Sequence, residues 1–156
     1  SVKGWFVPAS GGLIRHFSLK EHLDIIKAEN NTNWQEAFSI FRAETFEKTP
    51  VRKLSTGQEM MASIILACAS DSEFVYLDEP FASLDPNNAE NLVKILKDLG
   101  KTVVITSHDL YLTTEVADKI LFIIFIHFIC KCNSRRNKFI YIFLLDILCK
   151  ISKTNI

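Results

Sequence analysis

The spacing of apolar and polar positions predicts short strands and helices in alternation along most of the chain. Apolar residues that recur every three or four positions indicate one face of a helix, and short continuous apolar runs are typical of buried strands. Helices are predicted on this basis over residues 19–26, 34–47, 56–68, 87–99 and 110–117. Strands are predicted over residues 5–7, 74–77 and 102–106, with 74–77 buried on both faces. Because strands and helices alternate, we expect an α/β fold with a parallel sheet.

Two of the predicted helices carry a strong start signal. Ser18 precedes the first helix with Glu21 three residues later, and Ser55 and Gln58 stand in the same relation at the third helix. This spacing lets the serine hydroxyl accept a backbone N–H while the longer side chain reaches back to the backbone N–H of the serine. We therefore expect helices to begin directly after Ser18 and Ser55.

Charge and composition divide the chain near residue 123. Residues 1–123 hold 12 basic and 17 acidic side chains and residues 124–156 hold 6 and 1, so the net charge of zero is the sum of −5 and +5. Neither part has the density of Lys and Arg that a nucleic-acid-binding face needs, so we expect no nucleic-acid partner. Four cysteines are too few and too unevenly spaced for a disulfide scaffold, which favours a reducing compartment.

Two carboxylates, Asp78 and Glu79, directly follow the apolar run Phe74–Leu77. The carboxyl edge of a parallel sheet is where such folds bind ligands. At that edge an aspartate can hold Mg²⁺ through its water shell, and a glutamate can orient or deprotonate an attacking water. The same pair could also simply close the strand at a turn, and the pair alone does not decide between the two interpretations.

Three further motifs surround this strand. Residues 54–58 read LSTGQ one helix upstream, residues 83–85 read SLD directly downstream, and His108 follows the next strand. Together with FVYLDEP at residues 74–80, their order and spacing resemble the ATP-binding cassette (ABC) family, the nucleotide-binding subunits of ABC transporters. LSTGQ resembles the signature motif of that family, FVYLDEP its Walker B strand, SLD its D-loop and His108 its switch histidine.

The resemblance implies a fold, ligands and roles. The fold is a partial P-loop NTPase parallel sheet with a helical subdomain that ends in the signature helix. The cofactors are ATP and Mg²⁺, with Glu79 and His108 as catalytic residues and Asp78 on the metal. In a head-to-tail dimer, the ATP bound by a second ATP-binding subunit would lie against Leu54, Ser55, Thr56, Gly57, Gln58 and Asp85.

The resemblance also implies where the protein works. The expected function is ATP-driven transport by a peripheral subunit on the cytoplasmic face of the membrane, paired with transmembrane permease subunits. Among subfamilies, the motifs resemble those of bacterial-type exporters. Two alternatives stay open: a non-catalytic fragment derived from the family, which completes the ATP site of another subunit, and a soluble ABC ATPase without a transport role. Asp85 also has a plain structural alternative, as the N-cap of the helix that follows it.

Two elements of the family pattern are missing or altered in the sequence. No segment reads G-x-x-x-x-G-K-[ST], and Gly100–Thr102 is predicted to leave a helix and enter a strand. We expect the phosphate-binding loop to lie upstream of Ser1, which would make the chain a fragment with unpaired sheet edges, low stability and no hydrolysis by itself. Ala9 stands where the family has its Q-loop glutamine, and altered coupling or slower hydrolysis is the resulting hypothesis.

We expect four parts: a strand with the altered Q-loop (1–17), a helical subdomain (18–70), a core with the Walker B, D-loop and switch motifs (71–123), and an unrelated tail (124–156). The tail lacks Gly, Pro, Ala, Val and Glu and resembles no element of the family. We interpret it as read-through or a shifted reading frame. The alternatives are a zinc site at His127, Cys130 and Cys132 and an amphipathic helix on a membrane surface.

Overall fold

The computed structural model describes residues 3–26, 28, 33–124, 127–132 and 139–144. Over residues 4–116, strands and helices follow one another in the order that the sequence predicts. The helices are α1 (Leu19–Ile25), α2 (Asn33–Ile40), α3 (Thr56–Ala69), α4 (Pro86–Asp98) and α5 (Leu110–Val116). The strands are β1 (Gly4–Val7), β2 (Phe74–Asp78), β3 (Thr102–Thr106), β4 (Lys119–Ile124), β5 (His127–Cys132) and β6 (Phe139–Leu144).

The described strands form one sheet in the order β1-β2-β3-β6-β4-β5. Every neighbouring pair is parallel except β4 and β5, which are antiparallel. The predicted α/β fold with a parallel sheet is therefore confirmed. The register aligns Val7 with Leu77 and Leu77 with Ile105, and it places Asp78 opposite Thr106. The carboxyl ends of β1, β2 and β3 consequently lie at the same edge of the sheet.

The core lies on one face of β1, β2 and β3. Val75, Leu77 and Ile105 are buried there, and α3 contributes a run of buried residues from Met60 to Ala69. The prediction that β2 is buried on both faces is wrong, because Tyr76 is 41% exposed. Successive side chains of a strand point to opposite faces. Tyr76 therefore lies on the face that the described helices leave exposed.

The helical region departs from the sequence prediction in two places. The apolar spacing that predicts a helix over residues 19–26 places Ile25 on one face with Leu19 and Leu23, but the side chain of Ile25 is 58% exposed. The predicted helix over residues 34–47 is interrupted, because α2 ends at Ile40 and Arg42 adopts a left-handed backbone with φ of +50°. A short 3-10 turn follows Arg42, and the break lets both Phe41 and Phe46 reach the core.

The tail contributes two strands to the sheet. β6 pairs in parallel with both β3 and β4, and β5 pairs with β4 at the edge. The described tail residues are therefore strands, so the alternative of an amphipathic helix does not hold for them. His127, Cys130 and Cys132 all belong to β5, but the positions of their side chains, and with them the zinc alternative, lie outside what the structure describes. The four-part division stays a prediction.

Candidate functional site

The two acidic residues predicted at the carboxyl edge of the sheet both form hydrogen bonds with one hydroxyl group. The Thr106 Oγ1–H group donates to Asp78 Oδ1 at 2.6 Å, and Thr106 Oγ1 accepts the backbone N–H of Glu79 at 3.1 Å. The register of β2 and β3 places these residues side by side. Sequence reasoning missed this role of Thr106, although its position at the end of the neighbouring strand could have indicated it.

Glu79 adopts an unusual backbone conformation. Its φ is +45°, in the left-handed region that residues other than glycine rarely occupy. Such a conformation costs about 1–3 kcal/mol and persists where the surroundings fix it, typically at functional sites. Here the Glu79 N–H is fixed by donating both to the Thr106 hydroxyl and to the Thr106 carbonyl oxygen, the latter at 3.0 Å.

The Glu79 carboxylate contacts His108 with both of its oxygens. Oε2 accepts the backbone N–H of His108 at 3.2 Å, and Oε1 lies 3.1 Å from Nε2 of the His108 ring. The His108 side chain is largely exposed, whereas that of Glu79 is mostly buried. A carboxylate fixed at two points beside an exposed imidazole is suited to orienting a water molecule and accepting its proton.

Asp78 has the chemistry expected of a Mg²⁺ ligand. One of its oxygens accepts from Thr106, and a second carboxylate oxygen remains for a metal or its bound water. Mg²⁺ in nucleotide sites is usually held by one or two carboxylates together with phosphates and waters. Among the described residues there is no cluster of three or more acidic, His or Cys side chains that could hold a metal by itself. The donor set therefore fits a Mg²⁺ ion bound mainly through phosphate and water.

The start of α3 has the predicted capping box. The backbone N–H of Gln58 donates to Ser55 Oγ at 3.2 Å, and the backbone N–H of Ser55 donates to Gln58 Oε1 at 3.0 Å. Leu54 directly precedes this cap, and Thr56 is the first helical residue. The N-terminus of a helix attracts anions through its backbone N–H groups and dipole.

Gly57 is required by the packing of the chain itself. A Cβ atom at this position would lie 2.8 Å from the carbonyl oxygen of Ser83, in the segment that resembles the D-loop. This distance is far below an ordinary carbon–oxygen contact. The first turn of α3 can therefore lie against residue 83 only because position 57 has no side chain, independently of any phosphate.

Asp85 caps α4, as its structural alternative predicts. Its Oδ1 accepts the backbone N–H of Asn88 at 3.0 Å, and its Oδ2 accepts the side-chain amide of Asn88 at 2.6 Å. These hydrogen bonds, the backbone one first, hold the pKa of the Asp85 carboxyl below its usual value. Asp85 and Gln58 line the same cleft, whose volume is about 610 Å³. The expected role of Asp85 in a dimer stays a prediction.

The structure also describes Ala9, which stands at the expected Q-loop position, and Gly100, which begins the segment that was compared with a phosphate loop. Ala9 lies in an exposed turn after β1, closed by a 2.8 Å hydrogen bond from the Gly11 N–H to the Pro8 carbonyl. Gly100, with φ of +69°, follows the end of α4 as predicted. The segment that Gly100 begins is therefore a helix-to-strand connection and not a phosphate loop.

Lys101, in this connection, binds the end of α3. Its ammonium donates to the carbonyl oxygens of Ala67 at 2.8 Å, Cys68 at 3.2 Å and Ser70 at 2.6 Å. Partial burial lowers the pKa of Lys101 from its usual value. The contact compensates the carbonyl groups that a helix leaves without partners at its C-terminus.

Comparison with known proteins gives a family and several relatives. The family model described as "AAA domain, putative AbiEii toxin, Type IV TA system" matches residues 9–114, more than half of the chain. The energy-coupling factor transporter ATP-binding protein EcfA of Methanocaldococcus jannaschii is 37% identical over 102 residues, which are 64% of this chain and 37% of that protein. The cobalt import ATP-binding protein CbiO of Salmonella typhimurium is 33% identical over 107 residues, which are 67% of this chain and 39% of that protein.

Solved structures share the fold. The dimeric ATP-binding cassette MJ0796, in a post-hydrolysis state bound to ADP and Pi, has a TM-score of 0.65 at 26% identity over 77% of this chain and 58% of that chain. An archaeal ribosome recycling factor, in complex with a ribosomal stalk protein, has a TM-score of 0.67 at 21% identity over 78% of this chain and 25% of that chain. The latter likeness concerns the fold alone.

These likenesses and the geometry of the sheet edge agree on one class of protein, the P-loop nucleotide-binding domains. The chain belongs to the AAA-domain family that matches it and, with the relatives above, to the ATP-binding cassette ATPases. It spans about 37–39% of the length of those two curated relatives. One relative is named for import, so the expected likeness to exporters finds no support there. Across the described residues, no helix has the length and apolar character needed to cross a membrane.

Proposed function

We propose that this chain is part of an ATP-binding subunit of an ABC transporter and that it contributes the hydrolytic carboxylate of the ATP site. The observation that carries the proposal is the pair formed by Glu79 and His108, in which both carboxylate oxygens are engaged at the carboxyl edge of a parallel sheet. The names of the two relatives, both ATP-binding proteins of transport systems, support the same function.

Each residue at the carboxyl edge of the sheet has its own role in ATP hydrolysis. Glu79 orients the attacking water and accepts its proton, and His108 holds the carboxylate and contacts the γ-phosphate of ATP. Asp78 binds Mg²⁺, which neutralises phosphate charge when it is bound. Thr106 keeps Asp78 and Glu79 in register by bonding to both.

The residues at the start of α3 act across a dimer. Leu54, Ser55, Thr56, Gly57 and Gln58 present a helix N-terminus to the ATP held by a second ATP-binding subunit, and Asp85 lies at the same interface. A dimeric ATP-binding cassette among the structural neighbours supports this arrangement. Permease subunits in the membrane are the further partners, and the protein works as a peripheral subunit on the cytoplasmic face.

The test is ATP turnover by the protein that contains this chain, compared with its Glu79→Gln variant. Because a positioned general base contributes about 10²–10⁴-fold, we expect turnover to fall by at least 10²-fold while ATP binding is retained. Glu90→Gln is the matched control, since Glu90 is an exposed glutamate on α4. Equal turnover in native protein and E79Q would overturn the assignment of Glu79. Retained ATP binding with no turnover in the native protein would favour the non-catalytic alternative.

A further inference from the structure

The loop between β1 and α1, residues 8–17, lies directly on α3. Gly11 is buried in this loop with φ of +81°, a left-handed conformation that glycine adopts without strain. A Cβ atom at Gly11 would lie 2.5 Å from Cγ of Glu59, which lies in the first turn of α3. The loop backbone at Gly11 therefore lies directly against the side chain of Glu59.

One buried hydroxyl of α3 faces two acceptors at this contact. Ser63 is 1% exposed, and its Oγ lies 2.8 Å from the carbonyl oxygen of Gly11 and 2.9 Å from that of Glu59. A serine hydroxyl carries a single proton, so it serves these two acceptors in competition. The Glu59 acceptor is the i−4 carbonyl that any helical serine can reach, whereas the Gly11 acceptor is present only while the loop lies on α3.

The other end of the loop is fixed to α1. His22 is buried, its Nδ1 lies 2.7 Å from the Ser18 carbonyl oxygen, and its Nε2 lies 3.1 Å from the backbone nitrogen of Ile14. These partners assign the proton to Nδ1, so that Nε2 accepts the Ile14 N–H. The loop is thus anchored at its α1 end. At its contact with α3, by contrast, the Ser63 hydroxyl can exchange the Gly11 acceptor for the Glu59 acceptor.

We propose that Ser63 is a positioning residue that holds the loop 8–17 on α3 by a hydrogen bond it can exchange for one within the helix. When the loop leaves, the hydroxyl turns to Glu59 and stays satisfied, so the loop separates from α3 without leaving a buried donor unpaired. The contact sets the position of the first turn of α3, including Gly57, relative to the carboxyl end of β1. This inference goes beyond the proposed function, because it concerns a contact within the chain that is separate from the pair Glu79 and His108.

The five glycines of the chain serve as reporters. The amide of Gly12 belongs to the peptide group whose oxygen accepts from Ser63, and Gly57 reports on the first turn of α3. Gly4 and Gly100 lie away from the contact and serve as internal controls. Selective ¹⁵N labelling of glycine in the full 156-residue chain gives one amide signal for each of them.

The variants Ser63→Val and Ser63→Thr have nearly the same shape, and only threonine keeps the hydroxyl. We expect S63V to shift the amide signals of Gly12 and Gly57. S63T is expected to keep both signals near their native positions, while Gly4 and Gly100 stay unchanged in both variants. Ser63→Ala, which adds no atoms, is expected to behave as S63V and serves if valine does not fit the site.

Two results would overturn the proposal. If S63T and S63V, or S63T and S63A, shift the same signals by the same amount, the hydroxyl does not hold the loop. If the signal of Gly12 moves while that of Gly57 does not, the contact anchors the loop but does not position α3. Neither result depends on ATP, so a failure here is distinct from a failure of the proposed function.

Discussion

The Thr106 hydroxyl donates to the Asp78 carboxylate across two neighbouring strands, with Oγ1 and Oδ1 2.6 Å apart. The same oxygen accepts the backbone N–H of Glu79, whose backbone occupies the left-handed region. The strand that leads to His108 therefore also fixes the Asp78 carboxylate and the Glu79 backbone at the end of β2. A change in the register of β2 and β3 would disrupt all of these contacts at once.

Removing this hydroxyl is expected to lower stability. In Thr106→Val, the Asp78 oxygen loses its donor, and a partly buried acceptor left without its partner costs about 1–3 kcal/mol. The measurement is the free energy of unfolding of the chain in urea. Thr106→Ser keeps the hydroxyl and serves as the control, with an expected loss of less than half that of T106V. T106S lacks the methyl group that T106V keeps, so equal losses in the two variants would mean that the hydrogen bond contributes no more to stability than that methyl group.

Adding a single methyl group at Gly57 is expected to destabilise the chain despite the better helix propensity of alanine. Gly57→Ala gains about 1 kcal/mol in propensity, but its Cβ would lie 2.8 Å from the Ser83 carbonyl oxygen. Because that oxygen belongs to the backbone, the helix or the segment 79–85 must shift, at a cost of about 1–3 kcal/mol.

Gly100→Ala is the matched comparison for this change. Its Cβ would meet nothing within 4 Å, but its φ is +69°. We expect G100A to lower the thermal midpoint through backbone strain alone and to leave the amide signal of Gly57 unchanged. G57A is expected to alter the backbone signals of Ser83 as well. An unchanged Ser83 signal in G57A would contradict the close approach.

Those features of the fold that depend on neighbouring residues could be predicted from the sequence. The capping boxes at Ser18 and Ser55 and the end of α4 before Gly100 are set by contacts within a few residues, and the structure has each of them. The motifs at residues 74–80 and 83–85 were likewise found because their spacing along the chain is fixed.

Features that depend on distant contacts could not be predicted in this way. Thr106 and Asp78 are 28 residues apart, and Ser63 and Gly11 are 52 apart, so no local pattern links them. The break at Arg42 also depends on tertiary packing, because the aromatic residues on both sides of it, Phe41 and Phe46, are buried in the core. At Arg42, tertiary packing overrides the local periodicity that predicts one continuous helix over residues 34–47.

Lys101 is expected to stabilise the end of α3. Lys101→Met keeps most of the apolar stem but removes hydrogen bonds to three carbonyl oxygens, and hydrogen bonds to charged groups contribute about 1.5–3 kcal/mol. Lys97→Met is the control, because Lys97 forms an exposed ion pair with Glu115 at 3.7 Å. We expect a change within about 0.5 kcal/mol for that control. Urea unfolding measures both variants, and equal effects would contradict the role of Lys101.

Acid is expected to weaken the cap that Asp85 provides for α4. The hydrogen bonds from Asn88 lower the pKa of Asp85 below its usual 3.8 in the folded chain. Between the lowered and the usual pKa the unfolded chain binds more protons than the folded chain, so stability falls as the pH falls through this range. The contribution of the cap is therefore complete above about pH 4 and is lost below the lowered pKa.

The variant Asp85→Asn separates this effect from general acid unfolding. Asparagine still offers an oxygen to the Asn88 N–H but cannot gain a proton in this range. We expect the difference in unfolding free energy between native chain and D85N to be largest near neutral pH and to shrink as the pH falls below 3.8. Glu90→Gln, which alters an exposed glutamate of the same helix outside the cap, is the control variant. A constant difference between native chain and D85N from pH 7 to pH 2 would show that protonation of Asp85 does not weaken the cap.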